Sequence, residues 1–144
     1  NLTDEGTGCT AGAAATGTAG IAKLHNIPLA IGWTATIDPK DHTIANIDQA
    51  STITKIVGVN DVLAGAAATV SVYKAPSGTD CGSGTILHSG SFNGNASLDT
   101  NQTLTLTVTT VAAGDRICLQ STGGTNWTNG TAKGAITVFL APTP

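Results

Sequence analysis

The chain has 144 residues, of which only 10% are charged and 3% aromatic, with a formal net charge of −3. One domain of this size buries roughly 68–70% of its unfolded surface, enough for a core without metal or disulfide staples. The six Lys and Arg residues are scattered singly, which excludes nucleic-acid binding by phosphate neutralisation. No apolar run approaches the ~18 residues of a transmembrane helix.

In chain order, residues Asn1–Gly20 are nearly all Gly, Ala and Thr and lack apolar periodicity. They read as an extended arm, with a reach of about 70 Å at roughly 3.3–3.6 Å per residue. Residues 21–144 read as the folded domain. The chain starts at Asn1 and contains no methionine, which reads as a proteolytic end or an artificial boundary, the former left by leader removal or a maturation protease.

Strand signals recur from there. Ile31–Ile37 is the first, followed by a turn at Asp38-Pro39-Lys40-Asp41. Ser51–Val59 and Ala67–Lys74 follow, the latter alternating Val70, Val72 against Tyr73. Pro76–Gly84 is a loop, and Thr85–Phe92 a short strand broken by Gly90. Leu98–Val111 is the longest strand region. Within it, Thr103–Thr109 alternates strictly, with Leu104, Leu106 and Val108 on one face and Thr103, Thr105, Thr107 and Thr109 on the other. Ala113-Gly114-Asp115 turns into Arg116–Gln120. Ser121–Lys133 is polar and loop-like, and Gly134–Leu140 closes the sheet. Seven to eight short strands with regular turn signals predict an all-β antiparallel sandwich. The absence of a Cys…Trp…Cys signature favours a jelly roll over an immunoglobulin-like fold.

No catalytic constellation stands out. Ser83 lacks a nucleophile elbow, and Glu5 is the only glutamate. His42 beside Asp38 and Asp41 matches no calcium loop and reads as a charged turn, while His25 and His88 have no catalytic neighbour. No cofactor and no metal site is expected, and the chain reads as a non-enzyme. Cys9, Cys81 and Cys118 are odd in number, with no metal-ligand spacing. Cys9 and Cys81, both in Gly/Thr-rich segments, are the expected disulfide pair, within or between subunits. Cys118 shares a strand face with Arg116 and Gln120. Sequons begin at Asn1, Asn95, Asn101, Asn126 and Asn129 and are acceptors only under export by a glycosylating host. Trp127, beside Asn126 in a polar loop, either folds back on the sandwich edge or contacts a sugar ring or a partner. Trp33 reads as core, and the Tyr73 ring as lining an interface.

The segments Ala67–Lys74, Ser77-Gly78-Thr79 into Gly84–Leu87, Thr103–Thr109, Ala112–Leu119 and Gly134–Leu140 carry a resemblance. Together they resemble the β-sandwich modules of tailed-bacteriophage virion proteins, such as head decoration (cement) and fibre proteins. The resemblance implies a non-enzymatic subunit of a virion or extracellular assembly, often trimeric, that binds copies of itself and a major capsid or appendage protein. A subunit of an exported filament or pilus, using its N-terminal arm for strand addition, is a second expectation. A secreted carbohydrate-binding module using Trp127 is a third. The uncharged threonine row Thr103, Thr105, Thr107 and Thr109 is the expected assembly face, because it carries none of the charges that keep exposed strands apart.

Overall fold

A computed structural model describes residues 42–123, Trp127 and 132–143, together with the strand backbone of residues 27–33. The arm at Asn1–Gly20, its boundary at residue 21, His25, Cys9, Asn126 and Asn129 lie outside the described residues.

Among the described residues, eleven strand segments form two sheets. They are β1 (Ile27–Trp33), β2 (His42–Asn46), β3 (Ser51–Val62), β4 (Thr69–Pro76), β5 (Thr85–Ile86), β6 (His88–Ser89), β7 (Phe92–Asn93), β8 (Gln102–Leu106), β9 (Thr110–Val111), β10 (Asp115–Thr122) and β11 (Lys133–Pro142). The first sheet runs β1-β11-β3-β8-β6, with β9 also on β3; the second runs β2-β10-β4-β5, with β7 also on β4. All of these strand pairings are antiparallel. Taking β5–β7 as one interrupted strand and β8–β9 as another leaves two interleaved four-strand sheets. That is the double Greek key of a jelly roll, the fold expected from the sequence.

The alternation of the sequence builds the core directly. Ile53 and Ile56 of β3, Val70 and Val72 of β4, Ile117 and Leu119 of β10, and Ile136 and Val138 of β11 point between the sheets and are buried. Fully burying each such side chain contributes about 1.5–3 kcal/mol. Two aromatic rings fill the rest, and both need a glycine opposite. A Cβ on Gly58 would run into the Phe92 ring, and one on Gly94 into the Trp127 ring. Across the β3–β11 pair the register slips between Phe139 and Leu140, which leaves Thr54 and Lys55 both facing out.

Several boundaries differ from the sequence reading. The first strand is Ile27–Trp33 rather than Ile31–Ile37; Trp33 sits opposite Gly134 in its register, and residues 34–41 lie outside the described residues. β2, a five-residue edge strand, carries no strand signal of its own in the sequence. The long Leu98–Val111 strand breaks: Leu98 is 50% exposed, and the chain leaves the sheet at Thr107–Thr109 before β9. There the Thr107 and Val108 amides donate to Leu87 O, and Thr109 O accepts from Ile53 N. Gly90 and Gly114 hold the left-handed turns expected of them, at φ 69° and 89°.

Candidate assembly surface

The two sheets present unlike outer faces. On the second sheet, Ser71 and Tyr73 of β4 and Arg116, Cys118 and Gln120 of β10 point outward, as the alternation around Ile117 and Leu119 requires. Cys118 is nevertheless fully buried, because the loop before β5 folds over it. Cys81 in that loop is disulfide-bonded to Cys118, with the two Cα atoms 6.2 Å apart. This corrects the expected Cys9–Cys81 pair: Cys81 is already committed. The pairing was hidden because it depends on the loop lying across β10, which no spacing announces.

The loop is tied down around the bridge. The Arg116 guanidinium donates through Nη2 to Thr79 O and through Nη1 to Thr43 Oγ1, the latter at 3.4 Å. Asp80 accepts from Gly82 N at 2.9 Å and caps a short 3-10 turn at Cys81–Ser83. Gly84 crosses β4 so closely that a Cβ would meet Lys74 O. Tyr73 packs against the cluster of Ala75, Cys81 and Cys118, so much of its ring surface is taken up inside the subunit.

The first sheet carries no such loop of described residues. Its two central strands carry apolar side chains on both faces. In β11, Ala135, Thr137, Phe139 and Ala141 point outward and are half-buried. In β3, Val57 and Val59 do the same. The register joins them in rows: Thr103, Val57, Thr137 and Ala30 form one, and Val59, Ala135 and Gly32 another. None of the outward positions of β11 from Ala135 to Ala141, nor Thr103 and Thr105 of β8, bears a charge. The charges nearest this patch on β3 are exposed Lys55 and Asp61, at equal sequence distance on either side of Gly58. The strands of an antiparallel sheet with one solvated face alternate apolar and polar residues. That alternation lapses at Ala135–Ala141 and at Ile56–Val59.

All four threonines of the expected assembly face are exposed, but they do not form one flat row. Thr103 and Thr105 stand on β8, beside Val57 of β3 and Ser89 of β6 respectively. Thr107 and Thr109 lie on the bend beyond β8. The threonine face is thus the margin of the apolar patch rather than its centre.

The glycan-contact expectation for Trp127 is overturned. Its side chain is 0% exposed, its ring lies on Gly94, and Nε1 donates to Thr122 O at 2.8 Å. It closes one end of the core, the first of the two roles its sequence context left open. Asn95 and Asn101 are both exposed. Among the described residues no group of three or more His, Cys, Asp or Glu side chains converges on a metal-sized site. No helix of the described residues is long and apolar enough to cross a membrane. Family models, curated proteins and solved structures yield no match to this chain.

Proposed function

We propose that this chain is a non-enzymatic structural subunit that assembles with copies of itself through the outer face of its first sheet. The observation that carries the reading is that β3 and β11 carry apolar side chains on both faces, Val57 and Val59 on the outer face of one and Ala135, Phe139 and Ala141 on that of the other, while sheet packing inside the subunit uses only one face. A second copy covers the other. Burying Val57, Val59, Thr137 and Phe139 against their counterparts supplies the hydrophobic term without desolvating a charge. Lys55 and Asp61, placed evenly about Gly58, suit a two-fold contact in which each meets its opposite on the other copy.

Two further features support a place outside the reducing cytosol. The Cys81–Cys118 disulfide belongs to an oxidising compartment, and few surface charges suit a protein whose surface is covered in an assembly. Jelly rolls are frequent in viral capsids, though that link is fold-level analogy. A virion decoration or appendage protein is the reading most in keeping with these features, and an exported filament subunit the second. The carbohydrate-binding reading loses its aromatic platform with Trp127 buried.

Thr137→Lys tests the proposal, because position 137 sits in the middle of the patch and a lysine there does not enter the core. Sedimentation velocity is expected to show the wild type as an oligomer and the variant as a folded monomer. An oligomer unchanged by Thr137→Lys would overturn the choice of face.

A further inference from the structure

The segment from β5 to β7 leaves the second sheet, touches the first, and returns. β5 and β7 pair with β4, whereas β6, between them, pairs with β8. At the crossing, Val72 of β4 faces a gap in its ladder, and Leu87 and His88 fill it. Leu87 N donates to Val72 O at 3.0 Å, and Val72 N donates to Nε2 of His88 at 2.9 Å. Leu87 O in turn accepts from Thr107 N and Val108 N, beyond β8. One dipeptide therefore ties the two sheets together at their open edge, and half of its grip on Val72 is an imidazole nitrogen.

That nitrogen must be unprotonated. Nε2 accepts from an amide, so the ring proton resides on Nδ1, which lies 2.9 Å from Gly90 O and donates to it. The neutral ring satisfies both partners; the imidazolium sets an N–H against the Val72 N–H. His88 is 2% exposed, so no bulk water relieves that clash. We propose that His88 is an acid-operated latch: protonation expels the ring, breaks the tie to Val72 and opens the β5–β7 crossing while the rest of the sandwich stays closed.

The surroundings offer the cation no counter-charge. Residues 85–93 other than His88, and residues 102–111, contain no titratable side chain. On β4, Tyr73 packs on the disulfide cluster, and Lys74, itself a cation, donates to Thr110 O at 2.7 Å. The inward positions of β3, β10 and β11 around the core are apolar apart from Ser51 and Asn60, neither of which carries a charge. Lys55 and Asp61 of β3 and Arg116 of β10 lie on outer faces, and Asp115 accepts from Ala112 N in the turn before β10. Burial accordingly holds the His88 pKa below its ordinary 6.5, outweighing the carbonyl contacts that favour the cation.

The sign follows from proton linkage. Above pH 6.5 both the closed and the opened forms are neutral at His88 and the latch holds. Below it, the opened form takes a proton that the closed form refuses, and opening grows by up to about tenfold per pH unit. Opening exposes Leu87 and Phe92, both fully buried when closed, and frees the edge of β4.

The test is residue-resolved amide exchange on the full chain between pH 7.5 and 5, corrected for intrinsic rates. Val72 and Leu87 amides are expected to lose up to about tenfold protection per pH unit below 6.5, with Ile56 and Val138 unchanged. His88→Gln, whose amide can accept from Val72 N and donate to Gly90 O without titrating, is expected to abolish that dependence. Val72 protection independent of pH, a fall shared by Ile56 and Val138, or the same dependence in His88→Gln would each overturn the latch. The wild-type exchange data decide the matter if the variant does not fold.

Discussion

Removing the disulfide is the perturbation whose size can be worked out most fully. Cys81 and Cys118 are 37 residues apart in sequence. Loop-closure entropy for a loop of that length is about −13 cal/mol/K, so the bridge stabilises by roughly 4 kcal/mol at 25 °C in the chain-entropy account. A domain of this length unfolds with an entropy of about 300 cal/mol/K, which converts that loss to a fall in Tm of about 13 °C. The double variant Cys81→Ala/Cys118→Ala is the right comparison, since alanines leave no buried hydroxyl and no free thiol at either site. The Arg116 contact with Thr79 and the Asp80 cap remain to hold the loop, so the native fold is retained; the packing lost with two buried sulfurs adds to the entropic term, which is therefore the lower bound of the shift. Scanning calorimetry of both proteins gives the shift, and peptide mapping without reduction gives the pairing. A fall below about 4 °C would refute the entropic reasoning, and a Cys9–Cys81 peptide would refute the pairing itself.

Other outcomes follow from single sites. Gly94→Ala sets a methyl group into the Trp127 ring and is expected to destabilise by about 1–3 kcal/mol in chemical denaturation, with Trp127 emission moving to the red. Asn60→Ala removes the donor that holds Asn93 O at 2.9 Å and Ala96 O at 2.6 Å, and is expected to cost about 1–3 kcal/mol in the same assay. Lys55→Asp is expected to weaken self-association at low salt, and Lys55→Asp/Asp61→Lys to restore it; sedimentation equilibrium reads both. Thr105→Lys, at the margin of the patch, is expected to weaken association less than Thr137→Lys, by the same measurement.

The parts of the fold legible in the sequence are those where local pattern and sheet environment agree. Ala67–Lys74 and Gly134–Leu140 each lie within two residues of an observed strand, because alternation there coincides with burial on one face. Thr103–Thr109 alternates just as strictly, yet its second half leaves the sheet. There β9 re-pairs with β3, and the bend's amides serve Leu87 instead. Pattern reports which residues suit a strand; it does not report where a partner strand ends. Trp127 shows the complementary failure. Its polar neighbours suggest a surface loop, and only the space above Gly94 reveals where the ring goes. His88 has no sequence neighbour to mark it, since its partners Val72 and Gly90 are backbone atoms. The apolar second face of β11 was written openly in Ala135–Ala141 and needed the register with β3 to become a patch.

The extent of that patch sets an expectation for its strength. Three strands about 4.8 Å apart, the longest (β11) contributing seven residues at ~3.4 Å each, span at most about 340 Å² of sheet. Two copies face to face then bury about 700 Å² over these strands, below the roughly 1,000 Å² at which specific interfaces begin, which places self-association in a weak, concentration-dependent range. Sedimentation equilibrium of the full chain across micromolar concentrations therefore tests the central claim most directly. The account predicts a rise in mean mass from one subunit toward two or more that Thr137→Lys abolishes; a strictly monomeric wild type at every concentration would contradict it.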